Sequence, residues 1–346
     1  MLHYRTCITE RILHFKQPAV TSRGVYTTRR CRFVTLTVDG QPGIKGMGEC
    51  APLPGLSCDD LPGYEQTLRT ACRQLEEEGC IDREQLRAWP SILFGLETAL
   101  AQLNAGGKAG FFDTPFARGE AGIVINGLVW MGTFEAMYAR IEEKLQQGFS
   151  CIKLKIGAID FERELQLVKL IRSMADSSRI ELRLDANGAF TPDEALEKLN
   201  RLAPYDIHSI EQPIRQRQWN DMARLCRKSP IPIALDEELI GIDRLETKVS
   251  LLDSIRPAYI ILKPSLHGGF SGTEEWIGLA RERNIGSWIT SALESNIGLN
   301  AIAQFAARVY GPRIAMPQGL GTGSLFIDNI PMPLTIRGDQ LWFTAQ

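Results

Sequence analysis

Five charged side chains close short apolar runs at a nearly constant interval: Lys155, Asp185, Glu211, Asp236 and Lys263, with gaps of 30, 26, 25 and 27 residues. Lys153 stands two positions before the first, in Cys-Ile-Lys-Leu-Lys. Three carboxylates gathered at one place repel one another unless a cation sits among them. No histidine or cysteine joins the pattern, so Asp185, Glu211 and Asp236 form an all-oxygen ligand set. That set suits Mg²⁺, with Mn²⁺ as a substitute, and argues against zinc. The lysines add bases. An ammonium in an apolar strand beside another cation is expected to lose its proton more readily, which makes a usable base near neutral pH. Strand alternation turns Lys153 and Lys155 to one side. A carboxylate substrate held between Lys155 and Lys263 would meet a lysine on each face. One could remove the proton beside the carboxylate, and the other could stabilise the resulting anion or return a proton. Lys153 fits electrostatic support of Lys155. These residues describe an enzyme acting on a small-molecule carboxylate.

An interval of 25 to 30 residues is one strand, one helix and two loops. Its repetition predicts a modified (β/α) barrel of TIM type, whose strand C-termini converge on one mouth. Strands are expected at 122–126, at 286–290 and, weakly, at 313–316, with the site-bearing strands between them. Thr191, Pro192 and Glu194 combine an N-cap, an N1 proline and an N3 glutamate that open a helix. Ahead of the barrel, Arg32–Val38 and Ile44–Cys50 read as antiparallel strands, and 64–78 and 91–104 as helices. The expected organisation is an α+β capping domain over 1–120, a catalytic barrel over 121–325, and a segment at 326–346 returning to the cap. The polar stretch Gln17–Thr28 reads as a long loop that closes over the mouth and offers Arg23 or Tyr26 to substrate.

The 39 basic and 41 acidic side chains leave a formal charge of -2, with no long stretch of one sign. Neither nucleic acid nor a membrane surface is an expected partner. The cluster Arg29, Arg30 and Arg32 reads as a solvated strand edge. No apolar run approaches the ~20 residues that span a bilayer, and the opening residues, with no long apolar core or small-residue cleavage site, are not expected to act as an export signal. The eight cysteines form no Cys-x-x-Cys pair, so reduced thiols and a cytoplasmic location are expected. Oligomeric state is left open.

Leu-Asp-Ala-Asn-Gly at 184–188, Glu-Gln-Pro at 211–213, Asp-Glu-Glu at 236–238 and Leu-Lys-Pro at 262–264 resemble the enolase superfamily. Thr-Ser-Ala-Leu-Glu-Ser-Asn-Ile-Gly-Leu at 290–299, Gly-Leu-Gly-Thr-Gly at 319–323 and Gly-x-Gly-Glu-Cys-Ala-Pro-Leu-Pro-Gly at 46–55 narrow the resemblance to its o-succinylbenzoate synthase family. That resemblance implies a lyase of menaquinone biosynthesis. The reaction is a Mg²⁺-dependent syn dehydration of 2-succinyl-6-hydroxy-2,4-cyclohexadiene-1-carboxylate to 2-succinylbenzoate. It also implies that Lys155 takes the proton and Lys263 faces the ring as a cation, while Arg183 assists the base. Asn187 would lie near the metal and substrate, and Ser291 near the succinyl tail.

An N-acyl (N-succinyl) amino acid racemase, or a bifunctional synthase and racemase, would use the same two lysines. Dipeptide epimerases are disfavoured, because Gly-Thr-Gly-Ser-Leu at 321–325 stands where they carry an Asp-x-Asp. The four histidines, His3, His14, His208 and His267, show no paired spacing and receive no chemical role.

Overall fold

The computed structural model describes residues 3–21, 24–41 and 43–344. The chain opens with three antiparallel strands in the order β1-β2-β3: β1 (Tyr4–Thr21), β2 (Gly24–Val38) and β3 (Gly46–Cys50). Helices α1 (Tyr64–Glu78) and α2 (Pro90–Asn104) cover one face of that sheet around Val34, Leu36, Leu68, Leu75 and Leu96. Two glycines let α2 lie directly on β3: a Cβ on Gly48 would stand 1.7 Å from the Gly95 carbonyl oxygen. Any side chain there would push helix and strand apart.

The barrel follows as alternating strands and helices. β4 (Ile123–Val124) and β5 (Gly127–Val129) precede α3 (Phe134–Gln146), then β6 (Cys151–Lys155), α4 (Phe161–Met174), β7 (Glu181–Asp185) and α5 (Pro192–Leu202). β8 (Ile207–Glu211), α6 (Trp219–Lys228), β9 (Ile233–Leu235), α7 (Leu245–Ile255), β10 (Tyr259–Leu262), α8 (Gly269–Glu282), β11 (Gly286–Ile289) and α9 (Asn296–Tyr310) complete it. The seven strands β5 to β11 form one sheet in sequential order, parallel throughout. Both faces of such a sheet are covered, so its strands are continuous apolar runs rather than alternating ones. Ile152, Leu154, Leu182, Leu184, Ile210, Leu235 and Ile260 are buried accordingly. The capping box expected at Thr191 and Glu194 opens α5. This is the curled α/β sheet under an α+β cap that the spacing predicts.

Two strand expectations are corrected. The single strand expected at 122–126 is divided: β4 pairs with the tail strand β13 (Gln340–Phe343), and β5 alone enters the parallel sheet beside β6. No strand forms at 313–316. Barrel closure falls instead to Gln318, bridged to Ile125, and Gly319, bridged to Thr290. The Gln318 side chain supports the seam, since its Oε1 accepts from the Ile289 N–H at 2.7 Å. Prolines at 312 and 317 flank the expected strand and, lacking N–H donors, cannot extend it.

The tail divides its contacts. Phe326 bridges Phe15 of β1, whereas β12 (Leu334–Arg337) and β13 form a hairpin on β4, near the N-terminal ends of the first barrel strands. The expected loop at Gln17–Thr28 is also corrected. Its described part belongs to the β1–β2 hairpin, whose register shifts between His14 and Ala19. Arg23 lies outside the described residues. Arg29, expected on a solvated edge, is 1% exposed and donates to the carbonyls of Pro52 and Ala51 at 2.9 and 2.5 Å. All eight cysteines are free thiols, and no helix among the described residues is long and apolar enough to cross a membrane.

Candidate active site

Parallel register brings the strand ends together. Lys155 stands opposite Asp185, and Asp185 opposite Glu211, at the C-terminal ends of β6, β7 and β8. Asp236 and Lys263 follow immediately after β9 and β10. All five, with Lys153, line one cavity of about 720 Å³ at the barrel mouth. Lys153 Nζ reaches Asp185 Oδ2 at 2.9 Å and Glu211 Oε2 at 2.6 Å. Lys155 Nζ lies 3.0 Å from the same Asp185 oxygen and 2.8 Å from Asn187 Oδ1. Across the mouth, Lys263 Nζ meets Asp236 Oδ2 at 2.5 Å.

Burial and mutual repulsion decide which charges persist. Burial alone would raise the Asp185 pKa, but Lys153 and Lys155 overcome it and hold the carboxyl well below its usual range. Asp236 is lowered against burial by Lys263 and Lys153. Glu211 goes the other way: burial and the neighbouring Asp185 push it well above the ordinary glutamate value. Burial opposes the charge on Lys153 too, yet Asp185, Glu211 and Asp236 raise its pKa. Lys263 is raised likewise by Asp236, Glu237 and Glu211. The expected lowering of the Lys153 pKa is therefore corrected. The nearby carboxylates outweigh both burial and the second cation.

As the side chains stand, no three His, Cys, Asp or Glu among the described residues form a ready metal-holding group. The lysine ammoniums lie where a cation would draw the carboxylates together. The donor set nevertheless fits a hard divalent cation. Glu211 Oε1 and Asp236 Oδ1 are buried oxygens with no hydrogen-bond partner, and the repulsion that raises Glu211 would fall on charge neutralisation.

Asn187 serves as a bridge: it accepts from Lys155, and its Nδ2 donates to Glu237 Oε1 at 2.9 Å. Ser291 lies on the cavity wall with its hydroxyl 2.7 Å from that of Thr322. Arg183 is not brought to the mouth in the same way. Its Nε donates to Glu181 at 2.6 Å and one terminal nitrogen to the Pro317 carbonyl, and its guanidinium covers Trp288 at 4.1 Å. It props the barrel interior beside the closing seam. Tyr26 does line the cavity and donates to the Pro54 carbonyl at 2.6 Å.

Sequence reasoning missed three residues here. Glu237 lines the cavity, with one oxygen unpartnered and a pKa pushed up to about 7 by burial and by Asp236. Nothing in Asp-Glu-Glu separates it from Glu238, which is spent on Arg217, Trp219 and Gln212. Trp130 lies 5.8 Å from Lys155 Nζ and forms an aromatic wall. His267 is buried, and its Nδ1 accepts the Lys263 backbone N–H at 2.8 Å. The four-residue spacing from Lys263 was the available signal.

Comparison with known proteins identifies the family. Residues 136–320 match the family described as "Enolase C-terminal domain-like", and residues 12–103 match "MenC, N-terminal domain". The chain is 47% identical to the o-succinylbenzoate synthase of Desulfotalea psychrophila (strain LSv54 / DSM 12343), over 95% of this chain and 96% of that one. The crystal structure of MenC from that organism superposes with a TM-score of 0.85 at 42% identity, covering 98% of this chain and 99% of that chain. A dipeptide epimerase from Enterococcus faecalis V583 shares the fold, with a TM-score of 0.83 at 18% identity over 100% and 98% of the two chains. The chain belongs to the enolase superfamily, as a close relative of the o-succinylbenzoate synthases.

Proposed function

We propose that this chain is an o-succinylbenzoate synthase, a hydro-lyase that dehydrates 2-succinyl-6-hydroxy-2,4-cyclohexadiene-1-carboxylate. The observation that carries the reading is the pair of lysines, Lys155 and Lys263, on opposite flanks of one carboxylate-floored cavity. Asp185, Glu211 and Asp236 would hold the Mg²⁺ on which the family depends. That cation, when bound, supplies positive charge to the substrate carboxylate and so acidifies the adjacent C–H. Lys155 would accept that proton at Nζ. The electron pair moves into the ring, the bond to the 6-hydroxyl breaks, and the Lys155 ammonium gives its proton to the departing oxygen as water forms. Proton removal and return from one side accounts for syn geometry.

Lys263 has the complementary task. Its raised pKa keeps it an ammonium near neutral pH, so it presents fixed charge to the opposite face. Asn187, tied to Glu237, holds Lys155 in one rotamer. Trp130, Leu53 and Leu293 exclude water from the ring.

The test is turnover of the cyclohexadiene carboxylate beside a panel of N-succinyl amino acids, with and without Mg²⁺. Rapid dehydration that chelation abolishes and Mg²⁺ restores is expected. Racemisation of N-succinyl amino acids without dehydration would replace this reading by the racemase, which can use the same two lysines.

A further inference from the structure

The barrel mouth is lopsided. Its three carboxylates stand on or just after β7, β8 and β9, consecutive strands of the sheet, with Lys155 on β6 and Lys263 after β10 as flanks. A substrate held on that side by one end must extend toward the remaining wall, formed by β11, the closing residues Gln318 and Gly319, and β5. The cavity continues in that direction. Past Trp130 it reaches α3, where Arg140, Glu143, Lys144 and Gln147 line it.

Arg140 differs from the other cations that line the cavity. Lys153, Lys155 and Lys263 are paired with the mouth carboxylates, and Lys144 with Glu143. One terminal nitrogen of Arg140 donates to the carbonyls of Trp130 and Met131 at 2.9 and 3.2 Å, which fixes the side chain against the Trp130 wall. Its Nε and its other terminal nitrogen have no partner among the described residues, and no carboxylate pairs with it. Arg140 is half-buried, and neither of those nitrogens is sealed from solvent. Glu143, the carboxylate lining this end, is held by Lys144 and Gln147 at 3.1 and 2.8 Å. Two cations against one acid leave this end of the cavity net positive.

We propose that Arg140 is a specificity-determining residue, which takes a second carboxylate, at the tip of the substrate's tail, along the free edge of its guanidinium. That edge offers two parallel N–H donors spaced to match the two oxygens of a carboxylate, a fit that a lysine ammonium lacks. The succinyl tail of the proposed substrate ends in such a group, so the inference rests on the proposed function and adds the residue that reads the tail. Ser291 is neutral and meets the Thr322 hydroxyl at 2.7 Å, so it can border the tail without supplying the charge. A tail of the same length with an apolar tip would leave the guanidinium edge unanswered and be discriminated against.

The test compares two ligands that differ only at the tip, 2-succinylbenzoate and 2-butanoylbenzoate, titrated calorimetrically into the full chain with MgCl₂ present. The parent should bind the succinyl compound ~10–100-fold more tightly, the range for hydrogen bonds to a charged group. Arg140→Met should bind the two alike, and Arg140→Lys, which keeps the charge but loses the fork, should retain part of the preference. Arg140 also anchors the Trp130 segment, and loosening that segment would weaken both ligands equally, so the ratio of affinities isolates the tail carboxylate. A parent without preference, or a preference that survives intact in Arg140→Met, overturns the assignment. A parent that binds neither benzoate counts against the synthase. The comparison then passes to the N-succinyl and N-butanoyl forms of one amino acid, where the same ratio supports or overturns the role of Arg140.

Discussion

Two groups of buried carboxylates, equally hidden from water, are treated in opposite ways. At the seam between cap and barrel the acids are closed by neutral donors. Glu49 of β3 accepts from the N–H and hydroxyl of Ser295 and from the Gly298 N–H, at 3.0, 2.5 and 3.0 Å. Glu294 accepts from the Ser265 hydroxyl and the Ala292 N–H. At the mouth, Asp185, Glu211 and Asp236 face mainly lysines, and oxygens of Glu211, Asp236 and Glu237 are left without partners. The difference teaches how to tell a carboxylate that holds the molecule together from one held ready for chemistry. Glu49 and Glu294 are saturated by backbone and hydroxyl donors, whereas the mouth carboxylates keep unspent lone pairs beside lysine counter-charges.

The largest effect should come from disturbing the open group's counter-charges. Lys155→Ala should lower turnover by at least ~100–1000-fold, the value of a lost electrostatic contact in a transition state, and more because a base has gone. The fold and Mg²⁺ binding should survive, as Lys155 is no proposed ligand. The measurement is turnover together with exchange of the substrate's α-proton in deuterated water. Near-normal exchange would move the base to another residue, and loss of exchange only in Lys263→Ala would reverse the two faces.

The two groups should then part in stability. Glu49→Ala strands three donors and should cost about 3 kcal/mol or more. Glu211→Gln removes a repelled carboxyl, so the metal-free protein should unfold at the same temperature as the parent or higher. The variant should lose the gain in Tm that MgCl₂ gives the parent. A metal-free Glu211→Gln protein as unstable as Glu49→Ala would erase the distinction.

Asp59 of the cap sharpens it with pH. It accepts twice from Ser91 but has one oxygen unpartnered, and burial pushes its pKa up to about 6. A folded-state pKa above the unfolded one means that the folded chain binds the proton more tightly. Stability from this carboxyl is full below about pH 4 and is lost as the pH rises through 6. Asp59→Asn should therefore gain on the parent between pH 4 and 7, by at most about 3 kcal/mol, read from urea midpoints at a series of pH values. A constant difference across that range would remove Asp59 as the titrating group. The smallest effect belongs to the wall. Ser291→Ala should raise KM less than ~10-fold and leave kcat near the parent value, because one neutral hydrogen bond is at stake.

The open group was the legible one. An apolar run broken by one charge is visible in a sequence, and parallel register converts equal spacing into adjacency, as at Lys155, Asp185 and Glu211. The closed group was not legible, because Glu49 depends on donors 246 residues away. Glu237 and Glu238 are neighbours in sequence with opposite fates, decided by which way a short helical turn aims them. Arg183 shares the strand of Asp185, but the side chain runs to Glu181 and Trp288 instead. The eighth barrel position was misplaced because two residues fill it, too few to leave a periodic trace.

That two-residue closure has a consequence for synthesis on the ribosome. Gln318 and Gly319 join Ile125 to Thr290, and Phe326 then reaches back to Phe15. Until those residues leave the exit tunnel, β5 and β11 are the bare margins of an open apolar sheet, and the mouth has no finished wall. An unpaired sheet margin invites association with other chains. The nascent chain thus carries a nearly complete set of candidate site residues that cannot be assembled, and its interval of greatest exposure to aggregation falls just before the sheet closes.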